Sequence, residues 1–147
     1  MQSRHKTDLV YCLRILEAIG KINVYASGFS DPFVFFEAND QRDFNASLLQ
    51  LLHIGEQVNR LSDMTKERYQ QIPWTKIRAF RNIVAHDYVG VDKLIVFQTI
   101  VIQLPQLKQA IQDIIRTEID QNGFDEAEYQ LSKVSEFYRH IDFNQIR

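Results

Sequence analysis

Cysteine, proline and glycine are all scarce in this sequence of 147 residues, which has one cysteine, three prolines and five glycines. The single cysteine, Cys12, cannot form an internal disulfide, so a reducing compartment suits the chain. So few glycines and prolines leave little material for the many tight turns of an all-β domain. The composition therefore favours an all-α fold.

Long apolar runs and a large excess of charge are also missing. No apolar run reaches the roughly 20 residues of a membrane span, and residues 1–8 lack the apolar region of a signal peptide. We therefore expect a cytoplasmic protein without membrane association. The net charge of −2 argues against binding nucleic acid through overall positive charge. The 45% hydrophobic content suits a single domain with a substantial core.

Charge is nevertheless distributed unevenly along the chain. Residues 60–81 contain six basic and two acidic side chains, whereas residues 113–142 contain eight acidic and three basic ones. Such segments can be ordinary solvated faces or binding surfaces, and charge alone does not separate the two interpretations.

Apolar residues at three- and four-residue spacing predict helices over most of the chain. A first helix is predicted over residues 8–27, ended by Gly28. Asp31 then caps a short apolar turn at residues 33–36, which we expect to close one end of the core, with contact to a partner as the alternative. Cys12 lies on the apolar face of the first helix and is expected to be buried and unreactive.

The next helix is predicted over residues 41–68, with residues 39–40 as its N-terminal cap. Gly55 lies on its apolar face, which indicates close approach of another helix. His53 and Glu56 are three residues apart and could meet on one face. No third or fourth ligand has fitting spacing, so we predict no metal site.

Three further signals organise the second half of the chain. Pro73 is predicted to start a helix, and Asp92 to cap a strongly apolar one over residues 94–104. We expect Pro105 to kink or restart that helix. Its apolar residues surround the helix almost completely, which suits either a central position in the bundle or one shared between the core and a dimer interface.

The last predicted helix follows Gly123 and is capped by Asp125. Its apolar face is predicted to comprise Ala127, Leu131, Val134, Tyr138 and Ile141. We expect this acidic, amphipathic extension, residues 119–147, to pack on a bundle domain of residues 1–118, on a second protomer or on a partner protein.

An arginine, a histidine and a tyrosine lie close together within residues 81–88, Arg-Asn-Ile-Val-Ala-His-Asp-Tyr. Arg81 can neutralise a phosphate through a planar fork of donors, and His86 can transfer a proton near neutral pH. A site that cleaves RNA needs both groups. The alternative is a surface helix with an ordinary histidine near its C-terminus, where the helix dipole favours the imidazolium ion.

The spacing limits how these groups can meet. At about 100° per residue, Tyr88 falls on nearly the same helix face as Arg81, whereas His86 points about 140° away. Either the helix is distorted near residues 85–87 or two copies of the motif face each other. We therefore predict a symmetric dimer with the site at its interface.

The pattern Arg-x4-His-x-Tyr resembles the signature of the HEPN ribonuclease superfamily, and of its HepT branch in particular. The flanking segments are similar too: His-Ile-Gly-Glu at 53–56, Ile-Pro-Trp at 72–74, Val-Asp at 91–92 and Leu-Pro-Gln-Leu at 104–107. The likeness covers roughly residues 7–110. It implies an antiparallel bundle of four to five helices, to which this chain adds a C-terminal helix.

The resemblance also implies a function, that of a metal-independent endoribonuclease acting as the toxin of a toxin–antitoxin pair on tRNA or mRNA. Arg81 and His86 would be catalytic, without metal or cofactor. Phosphate binding would involve Lys76, Arg78 and Asn82, with Glu56 and Asp87 in supporting roles.

Tyr88 would have a separate role if the resemblance holds. In HepT-like proteins the matching tyrosine accepts AMP from a cognate MntA-like nucleotidyltransferase antitoxin. The alternative to a ribonuclease is that the whole protein is a non-catalytic subunit, which binds nucleotide or substrate for a minimal nucleotidyltransferase.

Overall fold

The computed structural model describes residues 7–85 and 90–147, and no strand is present in either range. The helices are α1 (Asp8–Ala26), α2 (Pro32–Arg60), α3 (Asp63–Arg68), α4 (Trp74–Arg78), α5 (Phe80–Ala85), α6 (Lys93–Gln98), α7 (Leu104–Asp120) and α8 (Glu126–Ser132). The π-helical segment Thr99–Gln103 joins α6 to α7. This architecture confirms the predicted all-α bundle.

The antiparallel pair α1 and α2 forms the centre of the bundle. The carboxylate of Asp8, fully buried at the start of α1, accepts hydrogen bonds from the backbone N–H and the hydroxyl of Ser62, just beyond the end of α2. The hydroxyl of Thr65 donates to the same carboxylate at 2.6 Å. This buried network fixes the register of α1 against α2, because each donor and the acceptor would be costly to leave unpaired.

The helix α2 is bent near its start. Asp31 caps it by accepting from the N–H groups of Phe33 and Val34, as predicted. The backbone is not helical at residues 38–41, and Asn39, Asp40 and Gln41 have positive φ values. The predicted boundary at 39–40 is therefore a sharp bend, which carries the chain from the apolar turn into the long helix.

The apolar turn fills the core only in part. Phe35 is fully buried and packs against the rings of Phe29, Phe44 and Phe97. Phe33 and Val34, by contrast, are more than half exposed. Phe35 therefore closes the core as expected, whereas Phe33 and Val34 do not.

The prediction that the second helix extends to residue 68 is wrong. The helix α2 ends at Arg60, and Ser62 caps a separate short helix, α3, by accepting from the N–H of Thr65. Ser62 also donates to Asp8, so the break between α2 and α3 lies at a tertiary contact between the end of α2 and the start of α1.

Pro105 does not restart the apolar helix. The N–H of Leu104 donates to the carbonyl of Thr99, five residues back, so the turn before the proline is wider than an α-helical turn. Proline lacks an N–H, and its ring would clash with the carbonyl of Val101 in a regular α-helix. The π-helical turn accommodates Pro105 and keeps the helix continuous.

This continuity changes one expectation about length. The stretch Lys93–Asp120 is 28 residues long and, judged by length and composition, could cross a membrane. The sequence analysis looked only for uninterrupted apolar runs, so it did not identify this stretch as a candidate membrane span. Val96, Ile100, Leu104 and Leu107 of this stretch are buried in the bundle, whereas Val101 and Ile102 are about half exposed.

The prediction for the C-terminal helix is also wrong beyond its cap. Asp125 does cap α8, but the helix ends at Ser132, whose hydroxyl bonds back to the carbonyl of Glu128. The predicted apolar face does not form: Leu131 is 71% and Val134 is 83% exposed. Tyr129 is buried instead.

The tail, residues 133–147, then turns back over the bundle. The carboxylate of Glu17 on α1 accepts from the backbone N–H of His140 and pairs with its ring Nδ1, at 2.6 and 2.7 Å. Ile146 is buried, and its carbonyl accepts from Nε of Arg116 on α7. Residues 119–147 therefore pack on α1 and α7 of the same chain.

Candidate active site

The basic segment that leads to the motif consists of two short helices. Pro73 precedes α4, as predicted, but α4 ends at Arg78 and α5 begins at Phe80. The N–H of Asn82 donates to the carbonyl of Ala79 at 2.9 Å, which closes the turn between them. Ile77 and Phe80 are each 4% exposed, so both short helices are anchored in the core through apolar side chains.

Gly55 on α2 determines where Arg81 lies. A Cβ atom at Gly55 would be 2.9 Å from the backbone nitrogen of Arg81 and 3.0 Å from the backbone oxygen of Arg78. Only glycine allows two backbones to approach this closely. The predicted close approach at Gly55 is therefore confirmed, and its partner is the first residue of the Arg-x4-His-x-Tyr motif.

The polar side chains of this segment face solvent. Lys76, Arg78, Arg81 and Asn82 are all exposed. In the two described ranges, no carboxylate pairs with Lys76, Arg78 or Arg81. No carboxylate of the described residues therefore competes with an external anion, such as a phosphate, for these cations.

A groove of about 620 Å³ runs beside α4 and is lined in part by Lys66, Trp74 and Lys76. The indole N–H of Trp74 donates to the carbonyl of Tyr69, which holds the half-buried ring at the edge of this groove. Trp74 was not predicted as a site residue, although an aromatic beside lysines is the sequence signal for stacking of a nucleic-acid base.

A buried carboxylate supports the connection that precedes α4. Glu118 of α7 is fully buried and accepts from the guanidinium of Arg68 at 2.9 Å and from the hydroxyl of Tyr69 at 2.7 Å. Burial, and then the hydrogen bond to Glu118, raise the pKa of Tyr69. Tyr69 therefore remains a neutral donor and fixes the backbone carbonyl that holds Trp74.

The remaining predicted site residues have different outcomes. His86, Asp87 and Tyr88 lie outside the described residues, so their predicted roles stay predictions. Glu56 is exposed on α2, where its charge acts on its neighbour His53 and opposes a lowered pKa of that imidazole. Within the described part of the chain, no group of three or more metal-ligating side chains forms around His53 and Glu56 or elsewhere.

Comparison with known proteins identifies the family. A family model described as "Ribonuclease HepT-like" matches residues 15–114. No solved structure is significantly similar.

Several curated proteins are similar over part of their length. A protein of Caldanaerobacter subterraneus named as a putative RNase is 32% identical over 65 residues, 44% of this chain and 58% of that protein. One of Methanocaldococcus jannaschii, named "gamma-glutamylcyclotransferase and putative RNase", is 30% identical over 113 residues, 77% of this chain and 49% of its own. The chain thus spans about half to three-fifths of the length of these relatives. With two thirds of its length matched by the family model, this protein belongs to the ribonuclease HepT-like family.

Proposed function

We propose that this protein is an endoribonuclease whose site is built around Arg81 and His86. The observation that carries the proposal is the position of Arg81, which begins the family motif, is exposed, and is held against Gly55 by its backbone. A solvent-facing guanidinium on a backbone held in this way is suited to stabilise the charge that develops on a phosphate in the transition state.

The surrounding cations would hold the RNA backbone. Lys76, Arg78 and Asn82 are exposed along the same segment and can donate to successive phosphates. The groove beside α4 would accept a base against Trp74. Glu56 and Asp87 would orient polar groups of the site. This role rests only on their positions in the motif and its flanking segments.

In the proposed reaction, the 2′-hydroxyl of a ribose attacks the adjacent phosphorus. The P–O5′ bond breaks as one proton leaves the 2′-hydroxyl and one is added to the departing 5′-oxygen. His86 carries out one of these proton transfers and solvent water the other. The products are one end with a 2′,3′-cyclic phosphate and one with a free 5′-hydroxyl. The RNA, the protein and water supply every group in this step, so the proposal includes no metal ion or cofactor.

We propose further that the site is completed in a homodimer. Leu94, Ile95, Val101 and Ile102 lie at positions that share one face of the α6–π segment, and each is 47–56% exposed. An exposed apolar face of this kind suits contact with a second protomer. Only residues 86–92 separate α5 from α6, so this face follows the motif closely in the chain.

The cellular role we propose is that of a cytoplasmic prokaryotic toxin, with a MntA-like nucleotidyltransferase as antitoxin. AMP attached to Tyr88 would place bulk and negative charge on nearly the same helix face as Arg81, if the helix continues through the motif. Such a group would compete electrostatically with RNA phosphate.

The proposal predicts that purified wild-type protein cleaves total tRNA in EDTA and that His86→Ala lowers the cleavage rate about 10²–10⁴-fold, because proton transfer is lost. The rates and the chemistry of the product ends would be measured on both proteins, purified in parallel. Cyclic phosphate ends from wild type alone would support the assignment.

Two other results would count against it. Equal cleavage by both proteins would show that His86 is not needed. Cleavage by neither would favour the alternative, a non-catalytic subunit that binds nucleotide or substrate for a nucleotidyltransferase.

Neutralisation gives a separate prediction for Tyr88. Co-expression with the cognate nucleotidyltransferase should add AMP to Tyr88, detected by mass spectrometry of peptides, and abolish cleavage of RNA. Tyr88→Phe, which removes only the acceptor hydroxyl, should stay active under the same co-expression. Full neutralisation of an unmodified protein would instead indicate inhibition by complex formation.

A further inference from the structure

A second cavity lies away from the motif segment, between α1, α2 and the tail. Its volume is about 570 Å³, enough for a small organic ligand. Neither Arg81 nor any residue of α4 or α5 lines it. Its wall includes Arg14 and Lys21 of α1 and Gln50 and His53 of α2.

The tail supplies the remaining wall. Phe137 and Tyr138 close one side, and the contact between His140 and Glu17 holds them there. Gly20 is required at this contact, because a Cβ atom there would collide with the backbone carbonyl of His140. The cavity is therefore a consequence of the tail folding over α1.

The electrostatics of the cavity favour an anion. Arg14 and Lys21 form no ion pair with a carboxylate in the described ranges. The carboxylate in the wall, Glu17, has one oxygen bonded to the backbone N–H of His140 and the other to its ring. The wall therefore carries two cations and one carboxylate, and this excess of positive charge favours an anion.

The pKa of His53 responds to the same positive charges. Burial, and then the positive charges of Arg14, Lys21 and Arg60, lower its pKa, while Glu56 acts in the opposite direction. A lowered pKa makes the neutral form of His53 the main one at pH 7, so its ring is a neutral hydrogen-bonding group in the wall of the cavity.

Apolar surface lies beside these cations. Leu49 and Phe137 both line the cavity and are 61% and 75% exposed. Tyr138, half-buried, adds a second aromatic side chain from the tail. A simple inorganic anion would leave these apolar groups in water, whereas a ligand with a phosphate and a flat aromatic part would cover them.

We propose that this cavity is a binding site for a nucleoside monophosphate unit, with the phosphate on Arg14 and Lys21 and the base against Phe137. Gln50 and His53 supply hydrogen bonds to the sugar or the phosphate. The ligand is either a free nucleotide or the phosphorylated end of an RNA strand, since both present the same chemistry.

The test is calorimetric titration of the full-length protein with AMP, adenosine and inorganic phosphate. We expect AMP to bind more tightly than either part alone. Lys21→Ala should weaken AMP binding at least about tenfold, as expected for loss of a charged hydrogen bond, and Lys21→Arg should restore most of it. Phe137→Ala should weaken the binding of AMP but leave the binding of inorganic phosphate unchanged. The matched control, Arg139→Ala, removes an exposed cation of the same tail that does not line the cavity, and should bind normally.

A readout at His53 separates this site from the motif. A bound phosphate should raise the pKa of His53, measured by NMR titration, because negative charge offsets Arg14 and Lys21. AMP binding that is lost in Arg81→Ala but kept in Lys21→Ala would overturn the proposal, as would no binding at millimolar AMP. Equal binding of AMP and phosphate, with no effect of Phe137→Ala, would also contradict it.

The two sources of the ligand can be distinguished in the same experiment. A short RNA with a 5′-phosphate that displaces AMP, when the matching 5′-hydroxyl RNA does not, would identify an RNA end. AMP binding without displacement by either RNA would identify a free nucleotide. These measurements do not depend on RNA cleavage, so they remain decisive if the protein proves not to be a ribonuclease.

Discussion

Arg81→Ala is expected to lower the rate of RNA cleavage about 10²–10³-fold, the usual cost of removing one group that stabilises transition-state charge. The side chain is exposed and forms no carboxylate ion pair in the described ranges, so its removal should leave the fold intact. Arg81→Lys should recover only part of the rate, because an ammonium group cannot reproduce the planar, two-point contact of a guanidinium with phosphate. Single-turnover cleavage of a short RNA measures the effect, with circular dichroism to confirm the helical fold.

The matched control is Arg42→Ala. Arg42 is also an exposed arginine, with a 71% accessible side chain, and its 3.6 Å pair with Asp43 lies on α2. Asp43 is buried but also accepts from the amide of Asn39, and an ion pair whose arginine is this exposed contributes little to stability. Cleavage should therefore stay within about twofold of wild type. Equal rates for Arg81→Ala and Arg42→Ala would remove Arg81 from the site.

The same variant tests whether one site draws on two protomers. If Arg81 of one protomer works with His86 of the other, mixing the inactive Arg81→Ala and His86→Ala proteins should restore activity. Random exchange makes half of the dimers mixed, each with one intact site of two, so recovery should approach about a quarter of the wild-type rate. No recovery after proven subunit exchange would place Arg81 and His86 of each site on one chain.

Local signals in the sequence predicted the parts of the fold that depend on neighbouring residues. Asp31, Asp92 and Asp125 each cap the helix that follows, because a short acidic side chain can accept from N–H groups two or three residues ahead. Gly55 on an apolar stripe predicted a close approach. The sequence could not identify its partner, because Arg81 is brought there by folding.

The parts that sequence reasoning missed depend on distant contacts. The end of α2 at Arg60 is coupled to the bond between Ser62 and Asp8, 54 positions away. The path of the tail depends on His140 reaching Glu17, 123 positions away. Periodicity extended both helices because it contains no information about such partners, and tertiary contacts override helical propensity.

The site residues show the same difference between features set by neighbouring residues and features set by distant contacts. The exposure of Lys76, Arg78, Arg81 and Asn82 follows from the burial of Ile77 and Phe80 between them, which periodicity can predict. The cavity of Arg14, Lys21 and His53 could not be predicted, because its third wall comes from the tail.

Gly55→Ala is expected to have a large effect although the substitution adds a single methyl group outside the motif. In an unconstrained helix it should stabilise the protein by about 1 kcal/mol, since alanine has the higher helix propensity. Here the new Cβ atom would lie 2.9 Å from the backbone nitrogen of Arg81 and 3.0 Å from the backbone oxygen of Arg78. The first of these atoms belongs to α5 and the second to the end of α4, so neither can move without its helix. We therefore expect a net loss of about 1–3 kcal/mol, as in overpacked cores.

The displacement of α5 by the new methyl group should also lower the rate of RNA cleavage. A misplacement of about 1 Å can lower a rate about 10²-fold, and Arg81 is the residue displaced. Gly20→Ala is the matched control: it makes the same change on α1, but its Cβ atom meets the backbone carbonyl of His140. It should lower the thermal unfolding temperature while short RNA is still cleaved at nearly the wild-type rate. If Gly55→Ala proved as stable and as active as wild type, close packing of α2 on α5 could not be what positions Arg81. If Gly55→Ala lost activity while Gly20→Ala lost only stability, the glycine would be shown to act through the position of Arg81.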